Sequence, residues 1–166
     1  MNRFKTIFCL TFLLCLSALA QKPIQLGGSW EYAIGESPKY NDYVMLPGEV
    51  KSDGKVWYRH GVYVPQDWYR QRITLYLERL YADATIYVND QKVGHDSLRC
   101  APHEYDVTEL IVPGQRNTVV VCVAKSERNG IFGKMELRAG SRQLYLRELH
   151  IQPYPFDGRV HLDVRS

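Results

Sequence analysis

Apolar and polar positions change places every second residue through much of this chain, and turn-forming residues separate the runs. Ile73, Leu75 and Leu77 alternate with Thr74, Tyr76 and Glu78, which puts an aliphatic stripe on one strand face and leaves the other for solvent or a second layer. Ala84, Ile86 and Val88 repeat the arrangement with Thr85 and Tyr87 opposite. Asn89 and Asp90 come next, both tolerant of positive φ, and the spacing predicts a tight hairpin that returns through Lys92-Val93-Gly94. Asp106-Val107-Thr108 then leads into Glu109-Leu110, where Thr108 is expected to cap a single helical turn ended by Pro113-Gly114. Val119, Val120, Val121 and Val123 make the run from Thr118 to Val123 apolar on both faces, which predicts a central strand. Gly130-Ile131-Phe132-Gly133, followed by Met135, Glu136 and Leu137, predicts another strand entered through a glycine-flanked turn. No long amphipathic helix interrupts the series, so the pattern predicts an all-β fold.

The final run stands apart. After Pro153-Tyr154-Pro155, which reads as a linker, Val160, Leu162 and Val164 alternate with Arg159, His161, Asp163 and Arg165, a strand for which the sequence offers no partner.

Three signatures occur in fixed order among these strands. Trp57-Tyr58-Arg59 leads through Val62 and Val64 to Pro65; Ile86-Tyr87-Val88-Asn89-Asp90-Gln91-Lys92-Val93-Gly94 follows; Tyr105-Asp106-Val107-Thr108-Glu109-Leu110 then runs to Pro113-Gly114. This order resembles the N-terminal sugar-binding domain of glycoside hydrolase family 2, and the segment from Gly130 to Leu137 extends the resemblance to roughly Leu26 through Ile151. The resemblance implies a jelly-roll β-sandwich of the galactose-binding-like type. It also implies that an immunoglobulin-like domain and a catalytic barrel follow in the same enzyme. The expected organisation is an export signal over residues 1–20, the sandwich over 21–153, and over 154–166 a linker with the first strand of an immunoglobulin-like domain.

The first residues carry their own signal. Arg3 and Lys5 precede an uncharged apolar run from Ile7 to Leu16 and then Ser17-Ala18-Leu19-Ala20, the layout of a secretory signal cleaved after Ala20. The run is shorter than the roughly 20 apolar residues that span a bilayer. A secreted or periplasmic protein without a membrane contact after cleavage is therefore expected. The chain has 21 basic and 18 acidic residues, net +3. Losing Arg3 and Lys5 leaves nineteen against eighteen, or +1, with no basic cluster of the kind that neutralises nucleic-acid phosphates. Cys9 and Cys15 leave with the signal, and Cys100 and Cys122 remain. In an exported chain they are a candidate disulfide, closing about 20 residues and contributing roughly 3 kcal/mol if unstrained. A pair of unbridged thiols is the alternative, since Cys122 lies in an apolar strand.

Catalytic chemistry is not legible in these residues. Glycoside hydrolysis needs two facing carboxyl groups, and Glu104, Asp106, Glu127 and Glu136 all fall at positions that the resemblance assigns to scaffold or loops. It places both catalytic glutamates of the family in the barrel, so the chain by itself is expected to be inactive; the alternatives are a free-standing carbohydrate-binding module and a protein-interaction module that pairs through its terminal strand. No cofactor is expected: there is no phosphate-binding glycine loop and no zinc-ligand spacing. The resemblance does point to the loop before Gly130 as one that leans toward the barrel's pocket. Within it Glu127, Arg128 and Asn129 are candidate carbohydrate contacts, with an ordinary solvated turn as the competing reading. Trp57 offers a ring that stacks on a sugar or packs in an interface, and His95 and His103 flank a loop able to face a ligand.

Overall fold

The computed structural model describes residues 21–97 and 100–142 with their side chains, and the backbone of 148–153 and 160–165. The expected export segment 1–20 and the expected linker after Pro153 lie outside the described residues.

Ten strands build two antiparallel layers. They are β1 (Ile24–Gln25), β2 (Gly28–Ile34), β3 (Asp42–Leu46), β4 (Val56–Tyr63), β5 (Arg72–Leu80), β6 (Ala84–Val88), β7 (Gln91–Asp96), β8 (His103–Asp106), β9 (Arg116–Val123) and β10 (Ile131–Gly140). One layer has the order β3-β2-β4-β9-β6-β7 and the other β1-β10-β5-β8. From β4 onward the chain repeatedly changes layer, so its connections gather at the two ends of the sandwich. Among the described residues the regular structure is all strand apart from one 3-10 turn, Gln66–Trp68. The all-β sandwich expected from the alternation and the resemblance is what the chain forms.

The core explains the pattern. Ile73, Leu75 and Leu77 of β5 face Ala84, Ile86 and Val88 of β6 and Val119, Val121 and Val123 of β9 across the interior, all essentially without exposure. Each fully buried aliphatic side chain of this kind contributes about 1.5–3 kcal/mol. β9 lies between β4 and β6, and its outward residues Val120 and Cys122 are also only 8% exposed. Both faces of the strand are thus covered, as its run of β-branched residues requires.

Local chemistry sets the turns. Asn89 and Asp90 have φ of 48° and 65°, the left-handed pair of a two-residue hairpin between β6 and β7. The 107–115 turn is held by Asn117, 1% exposed, whose amide exchanges hydrogen bonds with Val112 N and O and donates to Gln115 O. Thr108 departs from expectation. Its hydroxyl accepts from Ile73 N at 2.9 Å, tying the turn to β5, while Asp106 Oδ1 accepts from Thr108 N at 3.1 Å and takes the capping role. The amides that a Thr108 cap would serve, Leu110 N and Ile111 N, donate instead to Val107 O at 3.0 Å, and the hydroxyl is engaged with β5.

The terminal run also differs. Val160–Arg165 (β12) pairs antiparallel with Glu148–Pro153 (β11) in a separate two-stranded sheet, from Glu148 opposite Arg165 to Pro153 opposite Val160. The strand that lacked a partner in the sequence pattern has one.

Candidate functional site

At the end of the sandwich where β9 leaves its layer, three segments meet: the 124–130 loop, the 81–83 turn and the stretch from Pro47 to Lys55 that leads into β4. A bridge between Gly48 and Ile131, with Gly48 N donating to Ile131 O at 2.9 Å and Ile131 N to Gly48 O at 3.0 Å, fastens the first to the third. Gly130 permits this approach, because a Cβ there would overlap Gly48 O and the Glu49 side chain.

Asn129 is the clamp. It is 2% exposed; its Oδ1 accepts from Ser126 N at 2.7 Å and its Nδ2 donates to Ser52 O at 2.7 Å. Its carbonyl accepts from the Tyr58 hydroxyl at 2.7 Å, and that oxygen accepts in turn from Val50 N at 3.1 Å. Burial, reinforced by the nearby Glu49 and Tyr32, pushes the Tyr58 hydroxyl up to about 12, so it remains a donor across the physiological range.

Arg128, beside this clamp, carries the surface chemistry. Its guanidinium carbon lies 4.4 Å from the ring centre of Tyr81 and 4.7 Å from that of Phe132, and the two rings meet edge to face at 5.0 Å. Glu49 approaches from the third segment at 3.6 Å, an ion pair too long for a hydrogen bond. Half of the Arg128 side chain is exposed and Glu127 is exposed beside it. The arrangement offers a planar cationic donor on an aromatic support, which suits hydroxyl and carboxylate recognition. Tyr81, Phe132 and Glu49 were not singled out in the sequence. A register shift between Phe132 and Met135, with Gly133 at φ 75°, turns Phe132 toward the loop. The only sequence trace of that bulge is the glycine.

The other candidates lie elsewhere. Trp57 sits on the outer face of the six-stranded layer, stacked on Tyr87 at 6.0 Å and donating from Nε1 to Gly35 O at 2.9 Å. His95 is on the same face, its Nδ1 3.0 Å from Thr85 Oγ1; the register Trp57–Cys122 and Cys122–Thr85–His95 spaces it about 14 Å from Trp57. His103 lies between the layers, 3% exposed, with Nδ1 2.6 Å from Asp96 Oδ2. That contact joins β8 of one layer to β7 of the other. The structure therefore separates Arg128 and Asn129 from Trp57 and His95, and both groups from His103.

The candidate disulfide is corrected. Cys100 and Cys122 are both free thiols. Cys122 points to the outer face of the six-stranded layer, whereas Cys100 hangs by its amide from Leu80 O at the end of β5 in the other layer. Layers packed about 10 Å apart put the pair beyond bridging distance. Burial pushes the Cys122 thiol up to about 11, so it is protonated and inert.

The family model for the glycosyl hydrolases family 2 sugar-binding domain matches residues 19–134. A β-glucuronidase of Paenibacillus borealis is 28% identical over 122 residues, 74% of this chain and 20% of that protein. The solved β-glucuronidase of an uncultured Clostridium species superposes with a TM-score of 0.77 at 20% identity, covering 89% of this chain and 34% of that one. That of Dictyoglomus thermophilum gives 0.77 at 14% identity, covering 89% and 33%. The chain thus spans a fifth of the curated relative and about a third of the solved chains.

Proposed function

This chain belongs to glycosyl hydrolases family 2 as a sugar-binding domain, and from that membership we propose that it serves a larger glycosidase by bordering the substrate pocket rather than by performing the chemistry. The match over residues 19–134 carries the reading, and the Arg128 cluster gives it a contact surface. Since the relatives are β-glucuronidases, the proposed substrate of the whole enzyme is a glycoside whose glycone bears a carboxylate, a group that a guanidinium binds in bidentate fashion. The catalytic glutamates are assigned to a barrel, and residues 1–20 to export.

Two measurements test the proposal. The tryptic peptide Leu80–Lys92, which contains Asn89, identifies the native polypeptide in source-cell extracts. A native mass well above that of 166 residues is expected, and a product no larger than this chain overturns the enzyme reading. In the full-length enzyme, Arg128→Ala is expected to raise KM several-fold with kcat little changed, the signature of lost ground-state binding. An unchanged KM removes Arg128 from the pocket rim.

A further inference from the structure

The opposite end of the sandwich holds two adjoining clefts of about 370 and 200 Å³, which share Thr108, Glu109 and Arg142. They open between the 3-10 turn that precedes β5 and the 107–115 turn that precedes β9. The Arg128 cluster lies beyond the other end of β9, about 24 Å away along that strand.

The walls of these clefts differ in chemistry. The floor is apolar, made by Trp68, Ile73, Ile111 and Pro113. The polar wall consists of two guanidinium–carboxylate pairs. Arg72 Nε donates to Asp106 Oδ2 at 2.9 Å, and Arg142 pairs with Glu109. The first pair is preorganised, because Asp106 Oδ1 also accepts from Thr108 N at 3.1 Å and from Thr108 Oγ1 at 2.5 Å. At the lip Tyr69 is 62% exposed, and Arg70, at φ 64°, lies with its guanidinium carbon 5.5 Å from the Tyr69 ring centre.

A vicinal diol presents a donor and an acceptor side by side, which is what a guanidinium–carboxylate pair matches. A pyranose also has an apolar C–H face that rests on an aromatic ring. We propose that this cleft is a saccharide-binding site that takes one pyranoside unit, its hydroxyls on the Arg72–Asp106 and Arg142–Glu109 pairs and its ring face on Tyr69. Among the described lining residues three guanidiniums stand against two carboxylates, so a uronic acid unit binds better than its neutral counterpart. Because the cleft is shallow and open, binding is weak and fast. The site stands independently of the pocket-rim role of Arg128, since no residue is common to the two.

The test is a titration of the isotope-labelled chain with methyl β-glucuronide, methyl β-glucoside and sorbitol, read by amide chemical shifts. Saturable shifts at Tyr69, Arg70, Thr108 and Glu109 are expected, with half-saturation in the millimolar range and tighter for the glucuronide. Tyr69→Ala, at an exposed position, should abolish them while the remaining spectrum shows the fold intact. Shifts confined to the surroundings of Arg128 support the pocket-rim reading and overturn this one. Linear shifts, or equal shifts with open-chain sorbitol, overturn it as well.

Discussion

Asn89 is a single residue on which the hairpin, the central strand and the 107–115 turn all depend. Its Nδ2 donates to Leu110 O at 2.7 Å and to Asn117 Oδ1 at 2.8 Å, its Oδ1 accepts from Thr118 N at 2.8 Å, and its φ is 48°. Asn89→Ala removes all three bonds and places a Cβ-bearing residue without local compensation in the left-handed region. At about 1 kcal/mol per lost bond and about 1 kcal/mol for the backbone, the expected loss is about 3–4 kcal/mol. Against a domain stability of about 5–15 kcal/mol this is a large fraction. Asn89→Gly relieves the backbone and nothing else, so it should lose about 1 kcal/mol less than the alanine variant. Equilibrium urea unfolding, followed by tryptophan fluorescence on the chain without residues 1–20, measures both. With a slope of about 1–3 kcal/mol per molar, the alanine midpoint should fall by about 1–4 M. A loss below about 1 kcal/mol for alanine would refute the hydrogen-bond reasoning. A glycine variant as stable as the parent would show that only φ matters there.

Three further outcomes follow from the packing. With a thiol reagent under native conditions, Cys100 should react at once and Cys122 only on unfolding; absence of any reactive thiol would mean the two are bridged after all. Burial alone would raise the Glu136 carboxyl, but hydrogen bonds from Arg138 and Gln25 outweigh it and hold the group below its ordinary 4.5. A depressed folded pKa means that stability is present above the unfolded value and lost as pH falls through the folded one. Urea midpoints should therefore drop between neutral pH and about pH 3, and less so in Glu136→Gln; an equal drop in both would clear Glu136 of that role. Arg128→Ala should cost no more than about 1–2 kcal/mol of stability, since its two exposed cation–π contacts and its long ion pair are each worth about 0.5–1 kcal/mol or less; a larger loss on unfolding would make the residue structural rather than a surface contact.

What the sequence revealed and what it hid divide along physical lines. The stripe of Ile73, Leu75 and Leu77 and the two-sided burial of β9 were legible because period and branching report directly on which faces are covered. The Asn89-Asp90 hairpin was legible because few residues accept its backbone. The fate of His95 and His103 was not. Gln91–Asp96 has no aliphatic stripe to mark its inner face, so nothing in the run says that Gly94 and Asp96 point inward and His95 outward. Nor could spacing alone say that Cys122 lies in one layer while Cys100 lies in a turn tied to the other.

The signatures that gave the family away mark mostly scaffold, and only the third reaches into the proposed contacts, through Asp106 and Glu109. Tyr58 and Asn89 lie within the signatures, and each holds a loop through buried or part-buried hydrogen bonds. Asn117 and Asn129, close to the third signature and to the glycine-flanked strand, act in the same way. Some of the groups available to a ligand sit next to anchored residues of this kind: Arg128 beside Asn129 at one end of the sandwich, and Glu109 at the other beside Thr108, whose hydroxyl is tied to β5. A loop fixed by a buried amide presents its adjacent side chain at a constant place whatever that side chain is, so the scaffold residues constrain the geometry while the neighbours set the ligand. The Arg128 cluster draws on segments as far apart as Glu49 and Phe132, with the aromatic support completed by a bulge. No short motif can encode such a convergence. The resemblance therefore assigns the domain, and this chain's own side chains must decide which sugar it meets.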